Sequence, residues 1–232
     1  MPGNLPPFVP LVFGSTIFAI LGYFFSLIIS TRKSWTSSLI IFLFLAAWLV
    51  FQAFLSVNGF YLITDSIPPR FLAMILPPLL LILFLFLSPR GRNWLDRIPL
   101  EGLTYLHLVR IPIELVLYWL AMYGWIPVGM TFAGWNFDIL AGMTSPIAAY
   151  FLLRNSGSAD LRVFVWNLLG LALLLNIVTI GFLSAPGPFQ ILSFERPNLG
   201  IFQFPYVWLV SIAVPSVLFA HLVSVRRYLV SR

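Results

Sequence analysis

The chain has 232 residues, of which 60% are hydrophobic and 9% charged, and its formal net charge is +6. That charge content lies far below the roughly 25% of a soluble globular domain, so a soluble fold is excluded and an all-α integral membrane protein is predicted. The absence of cysteine removes disulfides, a thiol nucleophile and thiolate metal sites from consideration.

The opening "MPGNLPPFVP" has no basic leading region and does not read as a cleavable signal peptide. Seven apolar segments follow, near 9–30, 35–60, 70–87, 103–125, 131–153, 161–183 and 204–225. Each approaches the ~20 residues that a helix rising about 1.5 Å per residue needs to cross about 30 Å of hydrocarbon. Runs such as "LPPLLLILFLFL" do not alternate, as the strands of a barrel would. The expectation is a seven-transmembrane-helix bundle forming a single polytopic domain over 1–232.

The connections set its direction. Arg32, Lys33, Arg90, Arg92, Arg97, Arg154, Arg162, Arg226, Arg227 and Arg232 fall in the odd-numbered connections and the tail, while the even-numbered connections hold Arg70 and Arg196. Basic residues mark the cytoplasmic side, which predicts the N-terminus outside and the C-terminus cytoplasmic, as in a bacterial inner membrane. The pI of about 10.1 is thus a topology signal. Short basic loops lack the base-reading and stacking elements of a nucleic-acid surface, so the expected partner is the lipid bilayer.

In the second segment Gln52, Ser56 and Asn58 gather near the outer end. The fourth, "LHLVRIPIELVLYWLAMYGW", carries His107, Arg110, Glu114 and Tyr118 at steps of three or four residues, which places them on one helix face. Arg110 and Glu114 are one turn apart, and an intrahelical charge pair is expected between them. On that reading Glu114→Gln strands a guanidinium, at a cost of about 3–5 kcal/mol. Glu101 lies before the stripe, where an acidic residue favours the first-turn amides.

The fifth segment brings Asn136 and Asp138. Either the helix begins at Thr131, or it begins at Asn136 as N-cap, with "PVGMTFAGW" a re-entrant or interfacial stretch covered by protein. The sixth supplies Asn167, near the inner interface, and Asn176, which points toward Glu114 in the outer half. The connection "SAPGPFQILSFERPNLGIFQ" exceeds ordinary loop length and reads as a lid or an interfacial anchor with Glu195 and Arg196 at its tip. His221 in the seventh segment matches the depth of His107. Two histidines at one depth permit a haem b with axial imidazoles as an alternative; no other cofactor and no metal site is expected.

Phosphate-binding glycine motifs, HExxH and GxSxG are absent from the sequence, and nothing nominates a catalytic nucleophile. The stripe, with Arg110, Glu114, Tyr118, Asn136, Asp138, Asn176 and Gln52, instead predicts a polar intramembrane cavity between the fourth, fifth and sixth helices. Small-solute binding, with transport as its leading form and an anionic ligand suggested by Arg110, is the functional expectation. A signalling receptor, a haem-bearing electron-transfer protein and a structural or assembly protein are the alternatives.

Overall fold

A computed structural model describes residues 3–32, 35–154 and 160–231. Lys33, Arg232 and the connection 155–159, which enter the loop-charge argument, lie outside the described residues. Among those described, the secondary structure is helical: α1 (Phe8–Arg32), α2 (Trp35–Val57), α3 (Leu72–Leu87), α4 (Pro89–Leu95), α5 (Leu100–Leu106), α6 (Arg110–Met122), α7 (Ile139–Arg154), α8 (Leu161–Leu183) and α9 (Val214–Val230). The expected all-α membrane class is met by five helices long and apolar enough to cross a membrane, or six if the bent pair of α3 and α4 counts as one.

The most apolar helices are the least enclosed. The α2 span has a mean hydropathy of 2.4 with 17% of it buried, whereas the span ending in α9 has 1.8 with 67% buried. Where lipid is the solvent, outward faces take aliphatic and aromatic side chains, and polar groups turn inward. Accordingly Ile40, Leu43, Phe44, Val50 and Phe54 of α2 are exposed. In contrast α9 packs against α8, α5 and α3, and α1 lies along α2 and α6. Reciprocal indole bonds join α2 to the last span: Trp48 Nε1 donates to the Ser211 carbonyl at 3.1 Å and Trp208 Nε1 to the Leu49 carbonyl at 2.9 Å.

Proline sets most of the breaks. Ser88 is extended, as a residue before proline prefers, and its side chain accepts the Gly91 amide at 3.1 Å. With Pro89 opening the next helix, α4 leaves α3 at 91°. The fourth span runs Leu100–Met122, starting earlier than expected, and tightens into a 3₁₀ turn at His107–Val109. Pro112 three residues later has no N–H for the Leu108 carbonyl, and such a loss is a common cause of local rewinding. A π turn at Leu209–Ala213 precedes Pro215; the ring of Pro215 leaves the Ser211 carbonyl without a helical donor, and Trp48 supplies one. Within α7, Pro146 frees the Gly142 carbonyl, which Ser145 Oγ reaches at 2.9 Å. Gly124, with a φ of 77°, stands just past α6; there the Trp125 amide returns to the Leu120 carbonyl at 2.9 Å in a left-handed helix stop.

The fifth segment departs most from expectation. Helix α7 begins at Ile139 rather than at Thr131 or Asn136, and its 16 residues rise about 24 Å. Residues 125–138 form instead a folded connection with a 3₁₀ turn at Val128–Met130. Its backbone is satisfied internally, with Gly134 and Asn136 amides donating to the Thr131 carbonyl and Trp135 to Gly129. Asn136 Oδ1 accepts the Asp138 amide at 3.0 Å, and this side-chain turn holds the chain out of helix until residue 139.

Candidate functional site

The stripe of the fourth span is buried: His107, Arg110 and Glu114 are at most 2% exposed. The expected Arg110–Glu114 pair is not formed. Arg110 Nη1 meets Asp138 Oδ1 at 3.0 Å, and its Nη2 lies 3.2 Å from His221 Nε2. The sequence placed the cation and anion one turn apart in the less favourable order, with the base N-terminal to the acid. The folded connection before α7 then delivers a carboxylate from another element. Arg110 Nε has no hydrogen-bond partner among the described residues.

A directional chain stands behind the arginine. Guanidinium groups only donate, so His221 Nε2 accepts and the proton of the neutral ring sits on Nδ1, which donates to Asn167 Oδ1 at 2.7 Å. Asn167 Nδ2 in turn donates to the Val163 carbonyl at 2.8 Å. Asn167, expected near the inner interface, is therefore what orients His221. Gly170 on α8 makes room for the ring, since a Cβ there would meet His221 Cε1 and Nε2 in direct overlap.

His107 stacks on His221 with ring centroids 4.0 Å apart and meets the edge of Trp166 at 5.2 Å. Trp166 is anchored by its indole N–H to Thr144 Oγ1 at 2.8 Å. Axial imidazoles must approach an iron from opposite faces of a porphyrin. Two rings stacked at van der Waals distance, one of them hydrogen-bonded through both nitrogens, leave no plane between them, so this pair does not fit a haem. The described residues hold no group of three or more His, Cys, Asp or Glu side chains arranged for a metal ion.

Glu114 is in a different situation from Arg110. Asn136 Nδ2 lies 2.7 and 2.8 Å from its two carboxyl oxygens and 3.0 Å from the Met130 carbonyl. The carboxyl has no basic side chain within 4.0 Å among the described residues. It lines a cavity of ≈ 240 Å³, together with Arg110 and Asp138. The other walls are mostly apolar: Phe71 just before α3 and Met74 within it, Leu174 and Ile177 of α8, and Leu209 and Val217 of the last span. The cavity thus lies between α3, α6, α8 and α9, with the connection before α7 contributing Met130 and Asp138, and not in the expected space between the fourth, fifth and sixth helices.

Of the remaining expected site residues, Tyr118 stacks on Phe132 at 5.0 Å. Asn176 turns away from Glu114 and donates to the Trp135 carbonyl at 2.7 Å. Gln52 accepts the Tyr61 hydroxyl at 2.5 Å and Ser56 donates to the Phe202 carbonyl at 2.7 Å; neither lines the cavity. Glu195 and Arg196 are exposed, but the base of their loop is tied down. Asn198 Nδ2 bonds the Gly181 carbonyl at 3.1 Å, the Asn198 amide bonds the Ser184 carbonyl, and Ala185, Asn198 and Ile201 close one side of the cavity. Asn198 carries no periodic signal in the sequence, because it belongs to an irregular segment.

The chain belongs to a family described as Domain of unknown function (DUF8737), whose model matches residues 67–229. The matched stretch contains every residue that lines the cavity. No curated protein and no solved structure matches the chain.

Proposed function

We propose that the protein binds a small solute in the cavity between α3, α6, α8 and α9 and carries it across a membrane. The observation that carries this reading is a ≈ 240 Å³ cavity whose apolar wall converges on Arg110, Glu114 and Asp138. An apolar pocket with a few convergent polar groups is the general form of a small-ligand site, and ionisable residues at membrane depth characteristically mark solute pathways. Interrupted helices around the cavity favour movement over simple binding. Pro77 and Pro78 lie inside α3, and the 3₁₀ turn before α6 and the π turn before α9 adjoin the same space. Breaks of this kind let packed halves of a bundle rock about a site.

In this reading the chain makes seven passes, with α7 and the folded connection before it together completing the fifth. The N-terminus is outside, and the arginine-rich connections face the cytoplasm of a bacterial cell. The cysteine-free sequence makes the test direct. With Ile177→Cys in sealed proteoliposomes, a membrane-impermeant maleimide should label the cavity when added to either side in separate experiments. Labelling from one side only would indicate a receptor, and labelling from neither would refute transport. Asn93→Cys should react from the cytoplasmic side alone.

A further inference from the structure

We propose that the solute is a cation with an apolar body, such as a protonated amine, and that Glu114 is the group that receives its charge. This rests on the cavity-binding reading and names the ligand class. The ionisable groups of the cavity are unequally neutralised. Arg110 has its countercharge in Asp138 at 3.0 Å and an acceptor in His221 at 3.2 Å. Glu114 is equally buried, at 2% exposed, and its only hydrogen-bond donor among the described residues is the amide of Asn136, which is shared with the Met130 carbonyl.

With both acids ionised, one guanidinium faces two carboxylates across the same cavity. The histidines do not redress this balance through Nε2 of His221, which already accepts from Arg110. An anionic ligand, as Arg110 alone suggests, would have to approach past Glu114 and Asp138. A cation instead supplies the missing charge, and an ammonium brings three donors to a carboxyl with unfilled acceptor sites. Apart from Asn198 at one side, the rest of the wall, including Phe71, Met74, Leu174 and Ile177, is apolar and suits a hydrocarbon or aromatic body. Asn136 holds both carboxyl oxygens without itself lining the cavity, whereas Glu114 does line it.

The test uses the purified full chain and three probes that share a phenyl body: 2-phenylethylammonium, 2-phenylethanol and phenylacetate, compared by calorimetric titration and thermal shift at neutral pH. The ammonium should bind about tenfold or more tightly than the alcohol, the gain of a charge-assisted contact to a buried carboxylate, and phenylacetate should bind more weakly than either. Glu114→Gln should erase the advantage of the ammonium while leaving the alcohol bound. Equal binding of ammonium and alcohol, or tightest binding of phenylacetate, would overturn the cation assignment while leaving the cavity as a binding site. Saturable binding of none of the three would remove the cavity reading, and this proposal with it. The comparison among probes on the unmodified protein decides even if the variant does not fold.

Discussion

Arg110 and Glu114 sit one turn apart on one buried helix face, yet the protein treats them oppositely. Arg110 is backed by a continuous chain from the Val163 carbonyl through Asn167 and His221, and is faced by Asp138. Glu114 has one amide for a partner and an open side toward the cavity. The difference teaches that charges inside a bundle are partnered by whatever neighbouring elements deliver. Spacing along a single helix fixes which groups share a face and leaves their pairing to the rest of the fold. A charge faced by its countercharge is scaffold, and one beside a cavity without a countercharge is available to a ligand.

The comparison is broken most severely at Asp138. Asp138→Leu leaves a buried guanidinium without its countercharge, a loss of about 3–5 kcal/mol, and should give the lowest melting temperature of the set. Adding Arg110→Met to it should recover most of that loss, because the desolvation cost goes with the charges. A smaller fall, about 1–3 kcal/mol, is expected for Asn167→Leu, which strands the buried Nδ1 proton of His221; denaturant or thermal unfolding of the purified protein measures it. Glu114→Gln reverses the sign of expectation drawn from the sequence. It keeps an acceptor for Asn136 and removes an uncompensated carboxyl, so melting should be unchanged or slightly raised.

The smallest effect belongs to Asp160, which stands just before α8. Asp160 accepts from the Arg162 side chain at 2.7 and 3.0 Å, and this contact holds its carboxyl down at about 2, from 3.8. A depressed acid contributes stability that is complete above its unfolded value and is lost as pH falls through its folded value. Asp160→Asn should therefore flatten only a slight acid dependence between about pH 4 and pH 2 in melting curves, since exposed pairs are worth little.

Much of the frame is legible in the sequence. The limits of α1, α2 and α8 follow from unbroken apolar length, and the shared face of His107, Arg110 and Glu114 follows from helical spacing. The late start of α7 is less legible, because Asn136 serves both as a side-chain turn and as the partner of Glu114, and composition does not reveal such a double role. The 91° corner at Ser88 is foreshadowed by Pro89, whereas its angle depends on packing. Asn176 illustrates the reverse error: depth and polarity point it at Glu114, but the Trp135 carbonyl, presented by an irregular loop, captures it first.

Arg110 is matched by Asp138 at 3.0 Å, and on the proposed reading Glu114 is left for the ligand. Paired double-mutant cycles on thermal unfolding, Arg110 with Asp138 and Arg110 with Glu114, test it most directly. Coupling energies between contacting residues run about 0.5–3 kcal/mol. The Arg110–Asp138 cycle should fall near the top of that range and clearly exceed the Arg110–Glu114 cycle. A larger coupling for Arg110–Glu114 would contradict the account.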